Sequence, residues 1–124
     1  MIRLLLVDDE AAVRRGLRMQ LELEPDVQVV GEAGDGAAAL DLAPRLEPDV
    51  VLMDIRMRGM DGIAAVQKLR ELTPAIPVIM LSLHDDEHTR AQAAAAGAWA
   101  FVSKCEATHR LLQAIRAAAG RGGC

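Results

Sequence analysis

Asp8 and Asp9 follow the apolar run Ile2-Arg3-Leu4-Leu5-Leu6-Val7, and Asp54 follows Asp49-Val50-Val51-Leu52-Met53. Lys104 comes after Ala100-Phe101-Val102-Ser103, and Ser82 after Val78-Ile79-Met80-Leu81. Each of these polar residues ends a segment that reads as a β-strand. If the strands run parallel, all of them gather at one edge of the sheet. Clustered carboxylates repel one another, and a hard divalent cation removes that conflict. Mg²⁺ takes oxygen ligands, commonly one or two carboxylates together with phosphate oxygens. Asp8, Asp9 and Asp54 suit Mg²⁺ better than zinc, because no Cys or His stands at a comparable strand end. Asp54 is the best placed nucleophile, since a carboxylate attacks phosphorus to give an acyl phosphate. Positioning and electrostatics supply most of the catalysis in such transfers. Lys104 is a compact charge that pairs with a phosphoryl oxygen, and Ser82 offers a hydroxyl to another.

The elements that would position these residues alternate regularly. Strands are expected over 2–7, 27–31, 49–53, 77–81 and 99–103, and helices over 11–23, 36–46, 62–72, 86–96 and 107–119. The first, third and fourth strands are nearly unbroken apolar runs, as expected where helices cover both faces of a parallel sheet. Val13, Leu17 and Leu21 recur one turn apart in the first helix; Ala107, Leu111, Ala114 or Ile115, and Ala118 do so in the last. Pro25, Pro48 and Pro77 fall between elements, Gly97 suits a left-handed helix end, and Asp61 can cap the third helix. Five β–α units with right-handed crossovers make a doubly wound α/β fold. Such folds bind ligands outside the carboxyl ends of their strands, where the five polar residues fall.

The 124 residues suffice for one domain, expected over 1–119, with 120–124 as a flexible tail or the start of a linker. At 52% hydrophobic and 26% charged the chain can bury a core, and at 2% aromatic that core must be aliphatic. A net charge of −4 gives no basic footprint, so direct nucleic-acid binding by this chain is not expected. No apolar run approaches the ~18 residues of a membrane span, and Asp8 interrupts what would be a leader's apolar stretch. Cys105 and Cys124 form no metal or redox spacing, which agrees with free thiols and a cytoplasmic location.

The strings LLLVDDE (4–10), DIRMRGMDG (54–62), PVIMLS (77–82) and AGAWAFVSK (96–104) resemble the receiver domain of bacterial two-component response regulators across essentially the whole chain. LSLHDDEH and KCEATHRLLQAIRAAAG resemble the LuxR/NarL-type subfamily, whose receivers precede a helix-turn-helix DNA-binding domain. The resemblance implies a flavodoxin-like five-stranded parallel sheet in the order 2-1-3-4-5 with five flanking helices. It implies a phosphoacceptor rather than an enzyme. Asp54 would take a phosphoryl group from the phosphohistidine of a sensor histidine kinase. Asp9, Asp54 and the backbone carbonyl of Arg56 would bind Mg²⁺ directly, with Asp8 acting through a water. Lys104 would contact the phosphoryl group, Ser82 would turn toward it, and Phe101 would rotate inward as the aromatic switch residue. Activation would change the face formed by helix 4, strand 5 and helix 5, where homodimerisation is expected. DNA would be reached only through an attached output domain.

The chain departs from the family pattern at Arg58, where Pro is frequent, at Leu83, where a smaller residue is common, and at Cys105, where Pro often follows the lysine. The geometry of the 104–105 bond stays open on sequence alone. Arg56 and His84 flank the site where the family tunes phosphoryl lifetime. Trp99, two residues before Phe101, is expected on the same side of strand 5, either as an interface anchor or packed against a helix. His84 and His88 have the spacing of a zinc pair without a third ligand, and Gly31 to Gly36 lack the GxGxxG order. Two rival readings remain. One is a phosphorylation-independent receiver-like interaction module, which would normally lack one acid or the lysine. The other is an Asp-nucleophile, Mg-dependent phosphatase, which would carry D-x-D after the first strand and a cap domain.

Overall fold

The computed structural model describes residues 1–55, 61–82, 87–103 and 108–120. Its elements alternate throughout: β1 (Ile2–Val7), α1 (Ala11–Leu21), β2 (Val27–Ala33), α2 (Gly36–Leu46), β3 (Val50–Asp54), α3 (Gly62–Leu72), β4 (Val78–Ser82), α4 (Glu87–Ala96), β5 (Ala100–Ser103) and α5 (Thr108–Ala118). The strands form one parallel sheet in the order β2-β1-β3-β4-β5. This is the doubly wound, flavodoxin-like topology expected from the sequence.

Side chains alternate across the sheet with the period of a strand. Leu5, Val7, Val51, Met53, Val78 and Met80 pack with Ala39, Ala43, Ala65, Val66, Leu69, Ala93 and Ala96 of α2, α3 and α4. Ile2, Leu4, Leu6, Val50, Leu52, Ile79, Leu81 and Val102 pack with Leu21 of α1 and Leu111, Leu112 and Ile115 of α5. Burial on both faces explains the continuous apolar runs. Ala39, Ala43, Ala65, Ala93 and Ala96 make up much of the helix side of the first layer, whereas larger aliphatics fill the opposite one.

Local chemistry sets the element ends. Asp35 and Asp61 accept the N–H groups of Ala38 and Ala64, both at 2.8 Å, and so cap α2 and α3. Gly97, after α4, has φ +104°, a conformation that disfavours any Cβ. Several boundaries differ from expectation. β2 continues past Gly31 to Ala33 because a shift in register between Leu4 and Leu5 passes over Val30 and lets Gly31, Glu32 and Ala33 keep pairing with β1. α1 ends at Leu21 rather than 23, and Leu23 is exposed. Asp54 and Ser82 are the last residues of their strands rather than the residues that follow them.

Candidate functional site

Parallel register gathers the acids. Val7 pairs with Met53, so the next residues, Asp8 and Asp54, stand side by side at the ends of β1 and β3. Carboxylate oxygens of Asp8, Asp9 and Asp54 all lie within 4.8 Å of one another. Asp8 is 1% exposed and Asp54 9%, while Asp9 is half-buried. Three carboxylates drawn together with two of them buried form an all-oxygen donor set, which fits a hard divalent cation such as Mg²⁺ and not a thiophilic metal. Among the described residues this is the one such cluster.

The backbone of Asp8 is held on both sides. Its N–H donates to the Ala33 carbonyl at 3.1 Å, and its own carbonyl accepts Arg14 Nη1 at 2.6 Å. Its Oδ1 accepts the Glu10 N–H at 2.9 Å, a local turn that sets the side chain. On the other flank of Asp54, the Ile55 N–H donates to the Leu81 carbonyl at 3.0 Å, and the Gly62 N–H donates to the Ile55 carbonyl at 2.9 Å. A Cβ at Gly62 would lie 2.6 Å from both the Asp54 carbonyl oxygen and Ile55 Cα, so α3 starts directly against the end of β3.

Ser82 ends β4 fully buried, one strand from Asp54, and pairs in register with Ser103 at the end of β5. Phe101 is half-buried against the α2–α4 layer, with the Arg90 guanidinium 4.7 Å from its ring centroid, a cation–π contact. Trp99 precedes β5 and is 50% exposed. Lys104, Arg56, Arg58, Leu83, His84 and Cys105 lie outside the described residues, as does the 104–105 bond. Sequence reasoning missed Arg14, Gly62, Arg90 and Ser103. The available signals were weak: a basic residue one turn beyond the acids, and a glycine directly after the Asp61 cap.

Charge around the site is organised by arginines. Glu32 and then Glu22 hold the Arg18 guanidinium more firmly protonated than usual. Far from the acids, Arg116 of α5 donates to Asp26 at 2.8 and 3.0 Å and to Glu24 at 2.9 Å. The hydrogen bonds from Arg116 pull the Asp26 carboxyl below its ordinary range, and Arg116 is raised in return.

A family model for the response regulator receiver domain matches residues 4–116. The chain is 44% identical over 119 residues to the transcriptional regulatory protein LiaR of Bacillus subtilis, covering 95% of this chain and 56% of LiaR. It is 42% identical over 117 residues to the nitrate/nitrite response regulator protein NarP of Escherichia coli, covering 94% and 54%. The chain thus spans about half the length of these curated relatives. A LuxR-family two-component response regulator from an Aurantimonas species superposes with a TM-score of 0.92 at 36% identity, over 98% of this chain and 87% of that one. No helix among the described residues is long and apolar enough to cross a membrane. The sheet order, the buried acid cluster at its carboxyl edge and these likenesses converge: the chain belongs to the receiver domains of two-component response regulators.

Proposed function

We propose that Asp54 is the phosphoacceptor of a cytoplasmic two-component pathway. One observation carries this reading: Asp54 ends β3 with its carboxylate within 4.8 Å of those of Asp8 and Asp9, at the edge where doubly wound folds bind ligands. A sensor histidine kinase supplies the phosphohistidine. The P–N bond breaks, its electron pair stays on the imidazole, and a P–O bond to the Asp54 carboxylate forms an acyl phosphate. Asp9, Asp54 and the Arg56 carbonyl would hold Mg²⁺, and Asp8 would act through a water. Bound there, the cation neutralises the carboxylates and the phosphoryl oxygens together. Lys104 pairs with a further phosphoryl oxygen. The transfer is stoichiometric, one group per Asp54.

Phosphorylation adds about −1.5 to −2 of charge, which acts locally and needs a two-state element to travel. Ser82 and Phe101 serve as that element, since Ser82 ends the strand beside Asp54 and Phe101 lies on the next strand under Arg90. The face formed by α4, β5 and α5 then changes, and the half-exposed Trp99 makes it suited to homodimerisation. Residues 1–119 form the receiver and 120–124 begin a tail or linker. Because LiaR is a transcriptional regulatory protein about twice as long as the stretch matched here, we assign the output to transcription through a DNA-binding domain outside this chain. Intact-mass analysis after acetyl phosphate and Mg²⁺ tests the central step. A single phosphoryl adduct on the wild type and none on Asp54→Asn is expected. No adduct on the wild type, with this donor or a kinase, overturns it.

A further inference from the structure

Arg14 has a placement that phosphoryl transfer by itself leaves unused. It lies in the first turn of α1, its N–H bonded to the Glu10 carbonyl at 3.0 Å. Its Nη1 donates to the Asp8 carbonyl at 2.6 Å. Its Nε is buried and stands 3.4 Å from Glu32 Oε1, within ion-pair range but outside hydrogen-bond geometry. The other Glu32 oxygen is taken by Arg18 Nη1 at 2.5 Å. A methyl group at Gly34 would already touch Arg14 Nη1 at 3.5 Å, so the guanidinium runs close over the turn that follows β2. The group is therefore wedged between the end of β1 and the end of β2.

The peptide joining Asp8 to Asp9 is planar, so holding its oxygen holds the plane from which Asp9 departs. We propose that Arg14 is a positioning residue for the metal site: it locks the Asp8–Asp9 peptide so that both carboxylates converge with Asp54, while Glu32 balances its charge. This rests on reading Asp8, Asp9 and Asp54 as metal-binding acids. Its consequence has a distinctive sign. Coulomb's law alone says that deleting a cation beside an acid cluster tightens binding of a divalent ion. Loss of positioning weakens it instead, typically by ~10-fold or more for groups that orient metal ligands.

The test is Mn²⁺ binding followed by the electron paramagnetic resonance signal of the free ion, with circular dichroism checking the fold at the titration temperature. Arg14→Ala is expected to weaken binding about 10-fold. Arg14→Lys should fall between it and the wild type, because an ammonium lacks the planar fork that spans the Asp8 carbonyl and Glu32. Arg18→Ala removes a more exposed cation from the same glutamate and should leave binding unchanged or slightly tighter. Folded Arg14→Ala that binds as tightly as the wild type, or more tightly, overturns the positioning role. If Arg14→Ala does not fold, Arg14→Lys decides, and wild-type affinity there overturns the proposal. Asp9→Asn tests the underlying reading separately. A wild type that does not bind Mn²⁺, or an Asp9→Asn that binds equally well, removes the metal site itself.

Discussion

Two glycines at helical positions should respond oppositely to the same substitution. Gly16 sits in the middle of α1, exposed, with nothing within 4 Å of a Cβ built there. Alanine at such a site removes unfolded-state freedom and restores helix propensity, so Gly16→Ala should stabilise by about 0.5–1 kcal/mol. Gly62 starts α3, and a Cβ there would stand 2.6 Å from the Asp54 carbonyl oxygen and from Ile55 Cα, and 2.8 Å from the Ile55 carbonyl oxygen. Ordinary carbon contacts begin near ~3.5 Å, so the helix must retreat by roughly 1 Å. The atoms in the way are backbone and have no rotamer through which to escape. Retreat also stretches the 2.9 Å bond from the Gly62 N–H to the Ile55 carbonyl beyond hydrogen-bond range.

Overpacking of this kind costs roughly 1–3 kcal/mol. For a domain of 124 residues that lowers Tm by somewhere near ~4–12 °C. Because α3 then no longer seats against the Asp54 and Ile55 backbone, any share of the shift that Asp54 takes up lowers phosphoryl uptake too, by as much as ~100-fold for a misplacement of this size. Urea unfolding followed by circular dichroism gives the stability of both variants. The rate of adduct formation with acetyl phosphate gives the second quantity. A Gly62→Ala protein as stable as the wild type, alongside a stabilised Gly16→Ala, would refute the claim that α3 is seated on the Asp54 backbone.

Other outcomes follow from the same structure. Arg116 depresses the folded-state Asp26 pKa, so this contact stabilises the fold above the ordinary aspartate value of about 3.9 and fades as pH falls through the lower folded value; Asp26→Asn should flatten the acid limb of a stability–pH curve, and an unchanged limb would count against the pairing. Beryllofluoride with Mg²⁺ should change Trp99 fluorescence in the wild type and not in Asp54→Asn, whereas equal responses would uncouple Trp99 from the acids. Ile79, fully buried in β4, should lose about 0.5–1.5 kcal/mol as Val and about 2–5 kcal/mol as Ala in urea titrations, and a cost near zero for Ala would contradict its burial. Lys104→Ala should keep Mn²⁺ binding while impairing the fluorescence switch, and loss of both would make Lys104 structural.

Most of the scaffold was legible because burial on both sheet faces writes an unambiguous signal. Leu4-Leu5-Leu6-Val7 and Val50-Val51-Leu52-Met53 have no other use in a chain of this composition, and the acids that end them are conspicuous for that reason. β2 runs past the expected 27–31 because the register shift against β1 lets pairing continue from Gly31 to Ala33. α1 stops at Leu21, short of the expected 23. The chain instead turns so that Glu24 and Asp26 meet Arg116, a partner about 90 residues away that no local pattern announces. Arg14 and Gly62 went unseen for a related reason. Arg14 donates to the Asp8 carbonyl and the Gly62 N–H to the Ile55 carbonyl, and a backbone acceptor leaves no mark on residue type.

The strand alternation also divides the site's proposed duties between the two faces. Asp54 shares parity with Val50 and Leu52, which face α1 and α5. Val78, Met80 and Phe101 are directed to the layer of α2, α3 and α4, and Ser82 shares strand parity with the first two. The side that holds the acids is braced by α1, through Arg14 on the Asp8 carbonyl. The side proposed to read the phosphoryl group is lined by small Ala side chains of α4, with Arg90 over Phe101. A strand-end hydroxyl drawn across the sheet edge toward Asp54 would vacate space in the α2–α4 layer, and Phe101 is the nearest large side chain on the neighbouring strand to fill it. The Asp8 backbone is tied to β2 and α1, through the Ala33 carbonyl and Arg14, whereas the backbone beside Asp54 is tied to β4 through the Leu81 carbonyl. A rearrangement at the end of β4 would therefore reach Asp54 directly while leaving the Asp8 backbone bonds in place.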